Sequence, residues 1–148
     1  MKQKTTLKTR ALRYLSIREY SPKELAQKLV PYASSDDDLD TLLQWLQEQG
    51  FLSEERFVDT YVRRQSARYG SMRILRELGT RGVNEAALHR AQLEMQIDEF
   101  ERAKRVWQKK FGRKPSDMRE KARQIRFLQY RGFSADTIRQ VMNRGEEG

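Results

Sequence analysis

Basic side chains recur at helical spacing through the second and third parts of this chain, and they have the most chemistry to offer. Arg102, Arg105 and Lys109 fall on one helical face, as do Arg119, Arg123, Arg126 and Tyr130, and Arg64 shares a face with Arg68. A guanidinium grips a phosphate or carboxylate through paired N–H bonds. Like charges stacked three or four residues apart repel by roughly 0.2–0.5 kcal/mol per pair. Such rows therefore favour an anionic partner over a merely solubilising face. Arg63, Arg73, Arg76, Arg81 and Arg131 complete the candidate set.

The opposite inventory, that of catalysis, is nearly empty. His89 is the only histidine and there is no cysteine, so the usual nucleophile, base and metal-ligand sets cannot be assembled. No catalytic residue, metal or cofactor is expected. Asp36, Asp37, Asp38 and Asp40 project in different directions from a helix and converge poorly on a cation. They suit the positive end of a helix dipole instead. No glycine-rich phosphate loop is present. Trp45 and Trp107 occupy apolar helical positions and read as core.

The net charge of +9 favours a polyanionic partner, and it is unevenly distributed. Residues 1–50 hold 8 basic and 7 acidic side chains, whereas residues 98–148 hold 14 and 8. Between Arg102 and Arg131 the acids are only Asp117 and Glu120. The absence of cysteine fits a reducing compartment, so a cytoplasmic protein is expected. No apolar run reaches the roughly 20 residues of a membrane helix. The acid-free first 18 residues superficially resemble a transit peptide, but Leu7, Ala11, Leu12 and Leu15 keep helical spacing and make this the first helix.

Positioning these side chains falls to helices throughout, because no window alternates in the rhythm of a strand. Ser21-Pro22-Lys23-Glu24 is a capping box with proline at the first helical position. Ser35, Ser53, Asn84, Ser116 and Ser134 are further helix starts. Gly50, Gly82 and Gly132 suit the left-handed residue that closes a helix, and Pro31 and Pro115 bar continuation. These signals predict helices over 5–18, 21–30, 36–49, 53–69, 71–81, 84–96, 98–111, 117–130 and 134–143.

The chain also repeats itself. Arg76, Leu78, Arg81 and Gly82 recur 50 positions later as Arg126, Leu128, Arg131 and Gly132. A weaker copy lies 49 positions earlier, where Leu25 and Leu29 replace Ile74 and Leu78, and Tyr20-Ser21 replaces Tyr69-Gly70. Three tandem three-helix repeats follow, over 1–50, 51–97 and 98–148, in an elongated, curved all-α array.

Glu55-Arg56-Phe57, Gly70, Arg73-Ile74, Arg76-Glu77-Leu78, Arg81-Gly82-Val83, Arg126-Phe127-Leu128 and Tyr130-Arg131-Gly132-Phe133 together resemble the RecX family of RecA regulators. Ala11-Leu12-Arg13 and Ser21-Pro22-Lys23-Glu24-Leu25 resemble its first unit. Ser71 stands where the family leads one to expect proline, and Ala33 replaces the glycine of the later units. The resemblance implies a protein without enzymatic activity that binds RecA filaments on single-stranded DNA; a monomer is expected, with double-stranded DNA as a further partner. It implies suppression of ATP hydrolysis, strand exchange and the co-protease role, hence a part in homologous recombination, DNA repair and the SOS response. Three-helix units also leave open a sequence-specific duplex-binding regulator acting without RecA, and a scaffold for proteins alone.

Overall fold

The computed structural model describes residues 5–147, with side chains described through Arg144. Nine α-helices fill them: α1 Leu7–Ile17, α2 Pro22–Leu29, α3 Leu39–Glu48, α4 Glu54–Gln65, α5 Ser71–Thr80, α6 Glu85–Gln96, α7 Glu99–Lys110, α8 Met118–Tyr130 and α9 Ala135–Glu147. A single 3₁₀ turn, Val30–Tyr32, extends α2. Strands are absent among the described residues.

Caps decide most of the boundaries. Ser21 accepts from the Glu24 amide while Glu24 accepts from the Ser21 amide, both at 3.1 Å, closing the expected capping box. Ser53, Asn84 and Ser134 accept from the amides of Arg56, Ala87 and Thr137. Two starts differ from expectation. α3 begins at Leu39 rather than at 36, because the Asp37 carboxylate takes the Ser34 amide at 2.7 Å and holds a turn, leaving Asp38 to cap. Asp117, not Ser116, caps α8; the Ser116 hydroxyl donates to Glu120 instead.

Two ends differ as well. α4 stops at Gln65, short of 69, since the carbonyls of Ser66 and Tyr69 turn outward to Arg102. α9 continues to Glu147, past 143. Gly50, Gly82 and Gly132 adopt φ of 80°, 82° and 92°, as their closing role requires, and Gly112 at 68° does the same after α7.

Each trio of helices encloses its own apolar cluster. Leu25, Leu29 and Leu46 are fully buried in the first, together with Leu52 from the chain beyond α3. Ile74 and Leu78 centre the second, with Phe57, Val83 and Ala91 around them. Leu128, Phe133 and Ile138 centre the third. Burying each such side chain contributes about 1.5–3 kcal/mol, spread over three small cores rather than one. Trp45 and Trp107 pack against the first and third clusters.

The repeats are joined by one device used twice. The residue capping the middle helix of one repeat donates to the arginine carbonyl of the next repeat's Arg-Gly corner. Ser21 Oγ donates to the Arg81 carbonyl at 2.6 Å, and the Gly70 amide donates to the Arg131 carbonyl at 2.8 Å. A Cβ on Gly70 would lie 2.5 Å from the Gly132 backbone, and one on Gly132 would lie 2.8 Å from the Arg73 amide nitrogen. The second joint closes only because both residues are glycine.

Candidate nucleic-acid and partner interface

Stacking three units leaves a groove above each joint, and matching positions of the repeats line the two grooves. The first groove, between the first and second repeats, has a volume of about 190 Å³ and is bordered by Arg18, Glu19, Tyr61, Arg64, Gln65 and Arg81. The second, of about 480 Å³, is bordered by Ala67, Arg68, Val106, Lys109, Lys110, Phe127 and Arg131. With α4 and α7 aligned from Glu54 and Glu99, Tyr61 corresponds to Val106, Arg64 to Lys109 and Gln65 to Lys110. The 49- and 50-residue spacings pair Glu19 with Arg68 and Arg81 with Arg131.

Two of the three cations of the first groove, Arg18 and Arg81, are held in ion pairs, and Arg64 is not among the described residues that form one. Arg81 donates to Glu24 at 2.7 Å, Arg18 lies 3.6 Å from the same carboxylate, and Arg56 donates to Glu19 at 2.9 Å. Tyr61 donates to Glu77, which also pairs with Arg73 at 3.2 Å. The Tyr61 bond, then Arg73, hold the Glu77 carboxyl below its ordinary value against the opposing effect of burial. Burial and that same bond push the Tyr61 hydroxyl up.

No acid lines the second groove. Among the described residues Arg68, Lys109, Lys110 and Arg131 form no ion pair. Arg131 donates to the Arg68 carbonyl at 3.1 Å, and its guanidinium lies 5.1 Å from the Phe127 ring. Lys110 lies 5.7 Å from the same ring. Replacing a glutamate by Arg68 and a glutamine by Lys110 turns a cleft of three cations and one carboxylate into one of four cations and none.

Beneath this groove lies a polar lock. Glu99, only 3% exposed, accepts from the Ser71 hydroxyl at 2.8 Å and amide at 3.2 Å, and from Thr137 Oγ1 at 2.9 Å. The Ser134 amide and hydroxyl approach at 3.4 and 3.5 Å. The carboxylate thus sits at the positive ends of both α5 and α9. Ser71, in the place where proline was expected, is one of its principal donors.

Arg102, 7% exposed, donates to the carbonyls of Ser66, Tyr69 and Met95 at 2.9, 3.0 and 3.4 Å, and its Nε bonds Asp98 at 3.1 Å. The expectation that Arg102 belongs to an exposed binding face is therefore corrected: it ties the third repeat to the turn after α4. Arg105, assigned to the same stripe, is exposed. The helix turns Glu99, Arg102, Ala103 and Val106 inward, a spacing that was visible in the sequence.

The remaining candidates divide by use. Arg119, Arg123 and Arg126 line one shallow depression on α8 together with Asp117 and Glu120, and Tyr130 beyond them is 79% exposed. Arg63 and Arg76 are exposed without lining either groove. Arg73 is half-buried, 3.9 Å from the Tyr69 ring centre. Lys110, Val106 and Phe127 were missed, since only the stacking of repeats brings them beside Arg68.

Regulatory protein RecX of Herbaspirillum seropedicae is 49% identical over 136 residues, covering 92% of this chain and 88% of the relative. The chain belongs to the RecX family. The RecX namesake from a Ralstonia nicotianae strain is 43% identical over 141 residues, covering 95% of this chain and 89% of its own. A family model described as RecX, third three-helix domain, matches residues 97–142. The crystal structure of RecX from Lactobacillus salivarius shares the fold with a TM-score of 0.83, at 19% identity, over 96% of each chain. Membership carries the regulatory role its relatives are named for. Among the described residues, no helix is long and apolar enough to cross a membrane.

Proposed function

We propose that this chain binds RecA filaments assembled on single-stranded DNA and damps their activities: ATP hydrolysis, strand exchange and the co-protease role. It would thereby regulate recombination, DNA repair and the SOS response in the cytoplasm. The supporting observation is the second groove, where four cations meet without a carboxylate, with Arg119, Arg123 and Arg126 adding exposed positive charge along α8, on a scaffold of the RecX family. Phosphate neutralisation gives affinity without sequence preference. Selectivity for a RecA filament then comes from contacts with RecA protein.

RecA-dependent ATP hydrolysis and strand exchange, measured with the wild type and with Arg68→Glu and Arg126→Glu, test the reading. Weaker inhibition by either variant is expected. Equal inhibition by all three forms would remove the basic surface from the mechanism, and a wild type without effect on RecA would remove the function.

A further inference from the structure

The two grooves occupy equivalent places on one repeated scaffold, so the first is an internal control for the second. Where the first sets Glu19 and Gln65, the second sets Arg68 and Lys110, and the second is also the larger, at about 480 against 190 Å³. Neutral side chains at those places would serve solubility as well and repel less. Four cations gathered in one cleft without a carboxylate match a polyanion.

Resting on the functional reading above, we infer that the second groove is a seat for one strand of nucleic acid and excludes a duplex. Arg68 stands on the wall supplied by the second repeat, while Lys109, Lys110 and Arg131 stand on the wall supplied by the third. Cations on both sides of one cleft can surround a single sugar–phosphate chain. Ala67, Val106 and Phe127 supply apolar surface for sugar and base faces. A duplex carries its phosphates on a broad convex surface with its bases turned inward, and such a surface reaches only the rim. The depression on α8, by contrast, sets Asp117 and Glu120 among its three arginines, all on one helix.

The test gives the second groove its sister's composition. Binding of labelled oligothymidine to the full chain, without RecA, is followed by fluorescence anisotropy for the wild type, for Arg68→Glu/Lys110→Gln, and for Lys104→Glu/Arg13→Gln. The last changes net charge equally at two exposed positions outside the groove. Circular dichroism confirms that all three are folded. The groove variant should bind about 10-fold more weakly, and its dependence of log affinity on log salt should be shallower by about 1.4, or 0.7 for each lost phosphate contact. The control variant should keep most of the wild-type slope.

Equal losses in both variants would mean that overall charge alone attracts the strand, and the seat would be refuted. Duplex of the same length should compete poorly; competition equal to that of the single strand would overturn the exclusion. A glutamate-rich peptide that displaces oligothymidine at lower concentration would assign the groove to an acidic protein segment instead. These outcomes are independent of RecA, so the seat can fail while regulation of RecA by this chain stands.

Discussion

The first and second joints share a backbone and differ in what their side chains do with charge. In both, a cap residue of one repeat bonds the arginine carbonyl of the next, through Ser21 Oγ in one case and the Gly70 amide in the other. Above the first joint Arg18, Arg56, Arg73 and Arg81 are matched by Glu19, Glu24 and Glu77, with Arg64 the exception among the described residues of that groove. Above the second they are unmatched, and the charges that hold this joint, Glu99 and Arg102, have gone underneath. Separating structural charge from binding charge lets the third repeat be strongly basic without being loosely attached. The same arginine type serves both ends, and only burial and partners tell them apart.

The largest expected effect comes from breaking the second joint itself. Gly132→Ala sets a Cβ against the Arg73 backbone at a φ of 92° and should destabilise the protein by about 3 kcal/mol or more. Gly82→Ala imposes similar backbone strain and meets Lys23 Cβ at 2.5 Å but no backbone nitrogen, so a smaller cost of about 2 kcal/mol is expected. Thermal denaturation of the two variants reads the difference. Equal costs would mean that the joints are equally tight.

Arg102→Met should follow, at about 2–3 kcal/mol, because the Ser66, Tyr69 and Met95 carbonyls lose a charged donor. Arg126→Gln, on the exposed face of α8, should change stability by less than about 0.5 kcal/mol while weakening polyanion binding. Urea denaturation paired with oligothymidine binding separates the two roles. Loss of stability in both, or in neither, would erase the distinction between buried and binding arginines.

The smallest effect is one of pH. The folded protein lowers the Glu77 carboxyl, chiefly through its bond from Tyr61, so this contribution to stability is complete above the ordinary carboxylate range and is lost as pH falls through the lowered value. Glu77→Gln should therefore flatten the acid limb of a stability-against-pH curve, read by thermal melting. An unchanged limb would detach the Tyr61–Glu77 pair from the stability of the second repeat beside the first groove.

Much of the architecture was legible because helix ends are local. Ser21, Ser53 and Asn84 cap where a short polar side chain precedes an apolar stripe, and Gly50, Gly82 and Gly132 close where only a left-handed residue fits. What escaped was set at long range. The end of α4 depends on Arg102, more than 30 residues away, drawing off carbonyls of the following turn. The start of α3 depends on whether Asp37 or Asp38 wins the nearby amides.

The candidate site was legible in composition and illegible in partition. Helical spacing found Arg68 and Lys109 and the internal repeat found Arg131, yet the spacing rule placed Arg102 beside Arg105 although one is buried and the other exposed. Lys110 and Phe127 join the groove only through the stacking of repeats. The 50-residue recurrence of Arg81 and Arg131 marks the Arg-Gly corner of each joint; their differing partners, Glu24 in one and a carbonyl in the other, follow from neighbours outside the repeated motif.

The central claim, that the carboxylate-free second groove and not the largely ion-paired first one engages the filament, is tested most directly by giving the second groove the charges of the first. RecA ATP hydrolysis on single-stranded DNA is measured while the wild type, Arg68→Glu/Lys110→Gln and the charge-matched Lys104→Glu/Arg13→Gln are titrated in. The groove variant should need about 10-fold more protein for half-inhibition, by the affinity lost with two phosphate contacts, and the matched control should stay close to the wild type. Indistinguishable curves for the groove variant and the wild type would contradict the claim.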